Sequence, residues 1–361
     1  MGVAPVAMWG TVTRSWKSMP GHSLTIIPRA GSPWTVAQYP ALLARQSQIC
    51  SRVQDTRSHK LRRESTSWSD IRERLESLAQ QYPEWQPSLQ LWQAMLYALD
   101  DPVWEEAMPP LCPDRPAAAP LLAGMVCHVD APRVGRWVRA LAKLARQNTA
   151  PGQAALLQVH FRQEDVLGLL EAALCQDHAR LTALAEASGA HPHALAAIAH
   201  LAVIPLLQAC GRRLASQVPH VWSCGYCPIC GAWPTLAEVR GLEHARTLRC
   251  ARCGAAWRTA WLRCPYCNEM DHQRLGVLLP EPHGATGQID TCATCQGYLK
   301  THTTLQALPA HAVALQDLAT IALDVAALDR GYTRPERPGY ALACRLVAAP
   351  ARQRTIFGWH V

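Results

Sequence analysis

Four C-x-x-C pairs follow one another in the second half of this chain: Cys227/Cys230, Cys250/Cys253, Cys264/Cys267 and Cys292/Cys295. Two thiolates at this spacing can chelate one ion, because the intervening turn points both sulfurs the same way and its N–H groups can support them. The residue after the second cysteine of each pair needs a positive φ. Gly231 and Gly254 supply it, Asn268 is the next most tolerant type, and Gln296 is followed by Gly297. Proline inside "CPIC" and "CPYC" preorganises two of the loops. Pairing in sequence order gives two tetracysteine sites. Nineteen residues separate Cys230 from Cys250 and twenty-four separate Cys267 from Cys292, and the first gap has the length of a tetrathiolate ribbon. The expected metal ligands are therefore Cys227, Cys230, Cys250 and Cys253 at one site and Cys264, Cys267, Cys292 and Cys295 at the other.

"CGYCPICG" carries a third cysteine, Cys224, at the same interval. A [4Fe–4S] motif would want a further Cys followed by Pro, whereas "GAWP" supplies the proline alone. Cys224 is read as a spare thiol. Each gap reads as a β-hairpin, Thr235–Val239 with Arg246–Leu248 and Leu275–Leu279 with Gln288–Asp290. A strand over Ala256–Arg263 would place Trp257, Thr259 and Trp261 on one face, covering the metal sites or packing the two modules together. Arg246, Arg249, Arg252, Arg258 and Arg263 lie around it. They could contact phosphates, but charge balance against two anionic tetrathiolate centres is the favoured reading.

Upstream the texture is helical. Ile71, Leu75, Leu78 and Tyr82 share a face behind Ser69, and Trp92, Met95, Leu96 and Leu99 repeat the device after Ser88. Further helical periods run over 134–144, 166–174, 181–187 and from Pro192 past Cys210, about six helices in all. After the cysteines, Val313, Leu315, Leu318, Ile321, Val325 and Leu328 predict a last helix ended by Gly331. Asp317 and Asp324, seven apart on that helix, are expected on a solvated face. His191, His193 and His200 have no Cys or carboxylate company and are expected in core or surface roles. The fold class is α+β. Residues 1–64 form a loosely ordered extension, 65–219 an all-helical domain, 220–262 and 263–305 two tandem metal modules, 306–332 a C-terminal helix and 333–361 a tail.

Of fifteen cysteines, ten lie between Cys210 and Cys295. A secreted disulfide scaffold would be small and stapled throughout, so this clustering favours reduced thiols on metal in the cytoplasm. The N-terminus carries no apolar stretch of export-signal length. The run Ala194–Cys210 contains His200 and Pro205 and reads as a buried core helix rather than a membrane span. The net charge of +8 is spread over both halves, and metal-bound thiolates would leave the cysteine segment slightly acidic, so no nucleic acid partner is expected. No nucleophile–base constellation, phosphate loop or carboxylate pair is present, and a closed S4 site has no open position for substrate. Tetrathiolate coordination suits zinc or a mononuclear iron. A zinc-ribbon nucleic-acid-binding protein and a rubredoxin-like electron-transfer protein stand as alternatives to a non-catalytic role.

The segments "CPICGAWPTLAEVR", "LRCARCGAAWRTAWLRCPYCNE" and "DTCATCQGYLKT", followed by "DLATIALDVAALDRGYTR", resemble the FdhE family of formate dehydrogenase accessory proteins. The resemblance spans Val218 to Arg334. It implies an N-terminal helical domain and two rubredoxin-like modules, with iron favoured at the eight cysteines and zinc possible. It also implies a cytoplasmic role in maturing membrane-associated formate dehydrogenase by contact with its catalytic subunit. "YLK" at Tyr298–Lys300 is a signature of that resemblance whose chemistry the sequence does not explain.

Overall fold

Two aspartates open two of the helices by the same device. Asp130 accepts a hydrogen bond from the Arg133 N–H at 2.9 Å and starts α4 (Ala131–Gln147), while Asp177 accepts from Arg180 N–H at 3.0 Å and starts α6 (His178–Ser188). Gly189, at φ 68°, closes α6 in the left-handed conformation. The computed structural model describes residues 24–28, 68–107, 115–148, 163–241, 245–280 and 287–350. Within them the helical part also contains α1 (Trp68–Gln81), α2 (Gln86–Ala98), the short α3 (Val103–Glu106), α5 (Gln163–Cys175) and α7 (Pro192–Leu214). The six helices expected from periodicity are all present.

The 23-residue α7 is the axis of this part. Leu195, Ile198, Ala199, Ala202, Val203, Leu206, Leu207 and Cys210 are buried on several of its faces, and α2 to α6 all pack against it. A helix apolar all round belongs inside a core. It is long and apolar enough to cross a membrane by composition alone, but most of it is buried among its neighbours. Pro205 sits inside it and costs one i→i−4 hydrogen bond, which the packing on every side offsets.

The cysteine segment forms one sheet rather than two separate ones. Its strands are β3 (Leu236–Arg240), β4 (Ala245–Arg249), β5 (Ala256–Arg258), β6 (Leu275–Pro280), β7 (Gly287–Cys292) and β8 (Gly297–Thr304). The two hairpins match those expected. They are joined by β8 lying parallel to β3, with Leu236 opposite Lys300 and Arg240 opposite Thr304. Among the described residues the order is β1-β6-β7-β8-β3-β4-β5, β1 (Leu24–Pro28) pairing antiparallel with β6. The rest of the expected extension, together with residues 351–361 of the tail, lies outside the described residues.

Three expectations are corrected. β5 ends at Arg258, and Trp261 is 39% exposed. After Thr259 N–H donates to Arg246 C=O the chain leaves the sheet to begin the next cysteine turn, so only Trp257 is buried. The single C-terminal helix is two, α8 (Ala312–Ala319) and α9 (Ile321–Leu328), broken at Thr320. There the Lys300 ammonium takes the Asp317 carbonyl at 2.7 Å, and Thr320 Oγ1 donates back to Gln316 C=O at 2.7 Å; both compete with the helical ladder. Asp317 and Asp324 are buried, not solvated. They do share a face, but it is the one pressed on the sheet.

The tail has a definite course. Tyr340 N–H donates to Gly231 C=O at 3.0 Å, Trp233 Nε1 donates to Arg337 C=O at 2.9 Å, and β9 (Arg345–Ala348) pairs in parallel with β2 (Val126–Val129). The C-terminal segment thus runs over the first cysteine turn and returns to the helical part.

Candidate metal centres

All four cysteine turns use the same backbone device. Gly231, Gly254, Asn268 and Gln296 have φ of 71°, 75°, 65° and 52°, the four positions at which the sequence requires a left-handed residue. In three turns the N–H of that residue donates to the carbonyl of the first cysteine: Gly231 to Cys227 at 3.0 Å, Gly254 to Cys250 at 2.9 Å, Asn268 to Cys264 at 3.0 Å. The loop is closed and both sulfurs face inward. The Ile229 N–H points at Cys227 Sγ at 3.4 Å, the kind of support a thiolate ligand receives.

The sulfurs of Cys227, Cys230, Cys250 and Cys253 all lie within 4.8 Å of one another, and so do those of Cys264, Cys267, Cys292 and Cys295. Cross-pair contacts are 3.4 Å for Cys227–Cys253, 3.6 Å for Cys230–Cys250, and 3.7 Å for both Cys264–Cys295 and Cys267–Cys292. Each cluster can hold a metal ion, and four convergent sulfurs are the donor set of zinc or mononuclear iron. Cys224, half-buried, belongs to neither cluster.

The surroundings of the two clusters differ. The first is buried throughout, and Cys227, Ile229, Cys230, Leu248, Cys250 and Trp257 belong to the same apolar core as the helices. A Cβ on Gly211 of α7 would stand 1.7 Å from the Cys253 carbonyl oxygen, so helix and cysteine turn meet backbone to backbone. Burial pushes the Cys227 and Cys253 thiols well above their ordinary range, while thiol hydrogen bonds from Cys227, Cys250 and Cys253 hold Cys230 well below it. Four ionised sulfurs in such a place need a cation. In the second cluster Cys267 is exposed and Cys295 partly so. The clusters adjoin: a Cβ on Gly225 would stand 1.7 Å from the Pro265 carbonyl oxygen, and Tyr226, Trp233, Tyr266 and Tyr340 form a chain of ring contacts between them.

Behind the second cluster lies an ion network. Lys300 Nζ stands 2.7 Å from Asp317 and 2.6 Å from Asp324, Arg334 stands 3.1 Å and 2.8 Å from the same two carboxylates, and Tyr298 donates to Asp324 at 2.8 Å. Two cations meet two anions, so no net charge is buried. Burial opposes ionisation of Asp317, yet Lys300 and Arg334 together hold its carboxyl below the usual range. This is what Tyr298 and Lys300 of "YLK" do: they tie β8 to α8, α9 and the tail. The sequence hid it because Lys300, the two aspartates and Arg334 lie on separate elements, at separations of 10 and 24 residues that no helix or strand period relates.

The arginines around β4 are largely spoken for inside the protein. Arg246 pairs with Asp290 at 3.0 Å, Arg249 pairs with Glu238, and Arg252 donates to the Ala173 carbonyl at 2.6 Å at the end of α5. Arg263 donates to Asn268 Oδ1 at 2.9 Å. Arg246 and Arg249 thus balance carboxylates, not the metal centres as expected. Three thiols outside the pairs also converge: Cys127 and Cys344 approach to 3.9 Å, and Cys175 donates to the Cys344 carbonyl at 3.3 Å.

Among curated proteins the chain is similar to an FdhE homolog from Pseudomonas aeruginosa, 37% identical over 117 residues that make up 30% of this chain and 37% of that protein. An FdhE homolog from Aquifex aeolicus is 29% identical over 122 residues, 32% of this chain and 41% of its own length. The part of the chain that carries the cysteine pairs is thus similar to FdhE homologs. No family profile matches the chain. The similarity to these FdhE homologs thus spans less than half of their length. A crystal structure of the FdhE protein from Pseudomonas aeruginosa aligns over 75% of this chain and 93% of that one, at 24% identity and a TM-score of 0.48.

Proposed function

We propose that this chain is a non-catalytic, cytoplasmic accessory factor for formate dehydrogenase, binding the immature catalytic subunit through its rubredoxin-like double module. The observation that carries this reading is the pair of preformed tetracysteine clusters in one sheet, in a chain similar to FdhE homologs. In this reading Cys227, Cys230, Cys250 and Cys253 hold one ion and Cys264, Cys267, Cys292 and Cys295 a second, with iron favoured. Both are four-sulfur sites with no open position, which suits ordering of the modules rather than substrate chemistry. The nucleic-acid alternative loses support because Arg246 and Arg249 are buried in ion pairs.

The test is metal content beside activity in cells. The purified protein should carry close to two ions. Cys227→Ser and Cys264→Ser should each lower that count and abolish formate dehydrogenase activity when they replace the wild-type gene. Full activity from a metal-free protein would end the reading. The exposure of Cys267 favours one second reading, electron transfer, since an iron tetrathiolate at the surface can exchange electrons and zinc cannot. The visible spectrum of protein purified without oxygen separates the two.

A further inference from the structure

A cavity of about 230 Å³ lies where all parts of the protein meet. Trp92 of α2 and His200 of α7 line one side, Gln176 after α5 a second, and Trp233, Arg252 and Tyr266 from the cysteine turns a third. At about 30 Å³ for each water in the liquid, it has room for roughly seven or eight. That is the size of one large side chain with its amide, and too small for a nucleotide.

The polar groups on the wall fix what kind of ligand fits. Gln176 Nε2 and His200 Nε2 have no hydrogen-bond partner, and an unmade bond at a shielded polar atom costs about 1–3 kcal/mol. Gln176 is also the left-handed residue that closes α5, with φ 56° and the Asp177 N–H donating to the Ala172 carbonyl at 2.9 Å. Two of the nearby cations already have partners. Arg252 donates to the Ala173 and Leu174 carbonyls, and Arg334 is held by Asp317 and Asp324. Burial first, then the Arg252 charge, keeps the imidazoles of His178 and His200 neutral. Glu336 and Arg337 also line the cavity, so an anionic group would meet a carboxylate as well as a cation. A neutral amide would lie beside two side chains whose nitrogens lack partners, against indole and phenol walls.

We infer that this cavity receives one residue of a bound polypeptide. Its aromatic or large aliphatic side chain lies against Trp92 and Trp233, and its peptide group hydrogen-bonds Gln176 and His200. The inference rests on the proposed reading of a polypeptide client and gives that client an anchor point away from the metals.

The test uses the full-length, metal-loaded protein and N-acetylphenylalanine methylamide as the probe, with binding followed by saturation-transfer NMR. Two variants accompany it. Ala197→Phe fills the cavity from the α7 wall. Gln176→Gly removes the amide and relaxes the left-handed residue, so it should fold at least as well as the wild type. The probe should bind the wild type and not Ala197→Phe, with metal content unchanged, and should bind Gln176→Gly more weakly. Purified formate dehydrogenase catalytic subunit should bind both variants about tenfold more weakly than the wild type, a difference of about 1.4 kcal/mol. No probe binding to the wild type, or equal binding to all three proteins, overturns the inference. Undiminished binding of the catalytic subunit to both variants overturns it too and leaves the client reading standing. Probe binding without subunit binding supports the cavity assignment and counts against that client.

Discussion

The two tetracysteine clusters share their spacing, their left-handed turn residues and a common sheet, yet they are built into opposite environments. The first is part of the main core: its sulfurs pack among residues of the helices, and Gly211 lets α7 touch the Cys253 backbone. The second has Cys264, Leu275 and Cys292 as its own small cluster, with Tyr266 and Cys295 against it, and one of its sulfurs belongs to the exposed Cys267. A site inside a large core is held by the fold around it. A site with three buried residues of its own would depend on a bound ion, because so little apolar burial stands behind it.

The most direct consequence is for metal removal. Under a chromophoric chelator the protein should release its ions in two phases. The faster phase should belong to the second site, by about tenfold or more, the ratio that 1.4 kcal/mol of difference in local opening produces. Hydrogen exchange after the fast phase should show protection lost over residues 264–304 and kept over α7 and β3–β4. Cys292→Ser should remove the fast phase alone. Release of both ions at one rate would mean that the shared β3–β8 ladder makes the clusters a single cooperative unit, and that their different burial does not set their stability.

How much of this contrast could be read in the chain is instructive. The knuckles are local: glycine or asparagine after three of the cysteine pairs predicts a positive φ, and all three are found, while Gln296 takes the same conformation although glycine comes one residue later. The helices are also local, their apolar period surviving any change of partner. What escaped is pairing between separate elements. Asp317 and Asp324 look like a solvated stripe until Lys300 arrives from β8 and Arg334 from the tail. The arginines between Cys250 and Cys264 and just before them look like a free strip until Glu238 and Asp290 are placed beside two of them. A charge's partner is a tertiary fact, and no spacing rule carries it.

That same network offers a way to sharpen the comparison, because it supports the second module from behind where core is scarce. Breaking one member of a buried ion group leaves the others uncompensated, at a cost of about 3–5 kcal/mol. Lys300→Met should therefore destabilise the protein by that order in denaturant unfolding and should accelerate release from the second site. Release from the first site should stay near the wild-type rate. The double variant Lys300→Met, Asp324→Asn should recover part of the loss, since it removes one cation and one anion together. Equal acceleration at both sites would show that the network braces the whole sheet.

A further expected effect concerns the helical side, where the first site leans on α7. His200 is driven down to about 3 by burial first, then by Arg252 and His178, against an ordinary value near 6.5. The unfolded chain therefore binds a proton at His200 between these two values while the folded chain does not. Stability contributed by keeping the ring neutral is complete above about pH 6.5 and is lost as pH falls below it. From pH 7 to pH 5 the wild type should lose about 2 kcal/mol more than His200→Gln, which has no proton to take up. Comparing the two proteins at each pH cancels the protonation of the cysteines, which is common to both. His178 is shifted in the same direction, by burial and then by Arg252, so His178→Gln should flatten the same limb. If the wild type and His200→Gln lose stability in parallel down to pH 5, then the imidazole titrates freely in the folded protein, and α7 is less closed around the first site than its packing indicates.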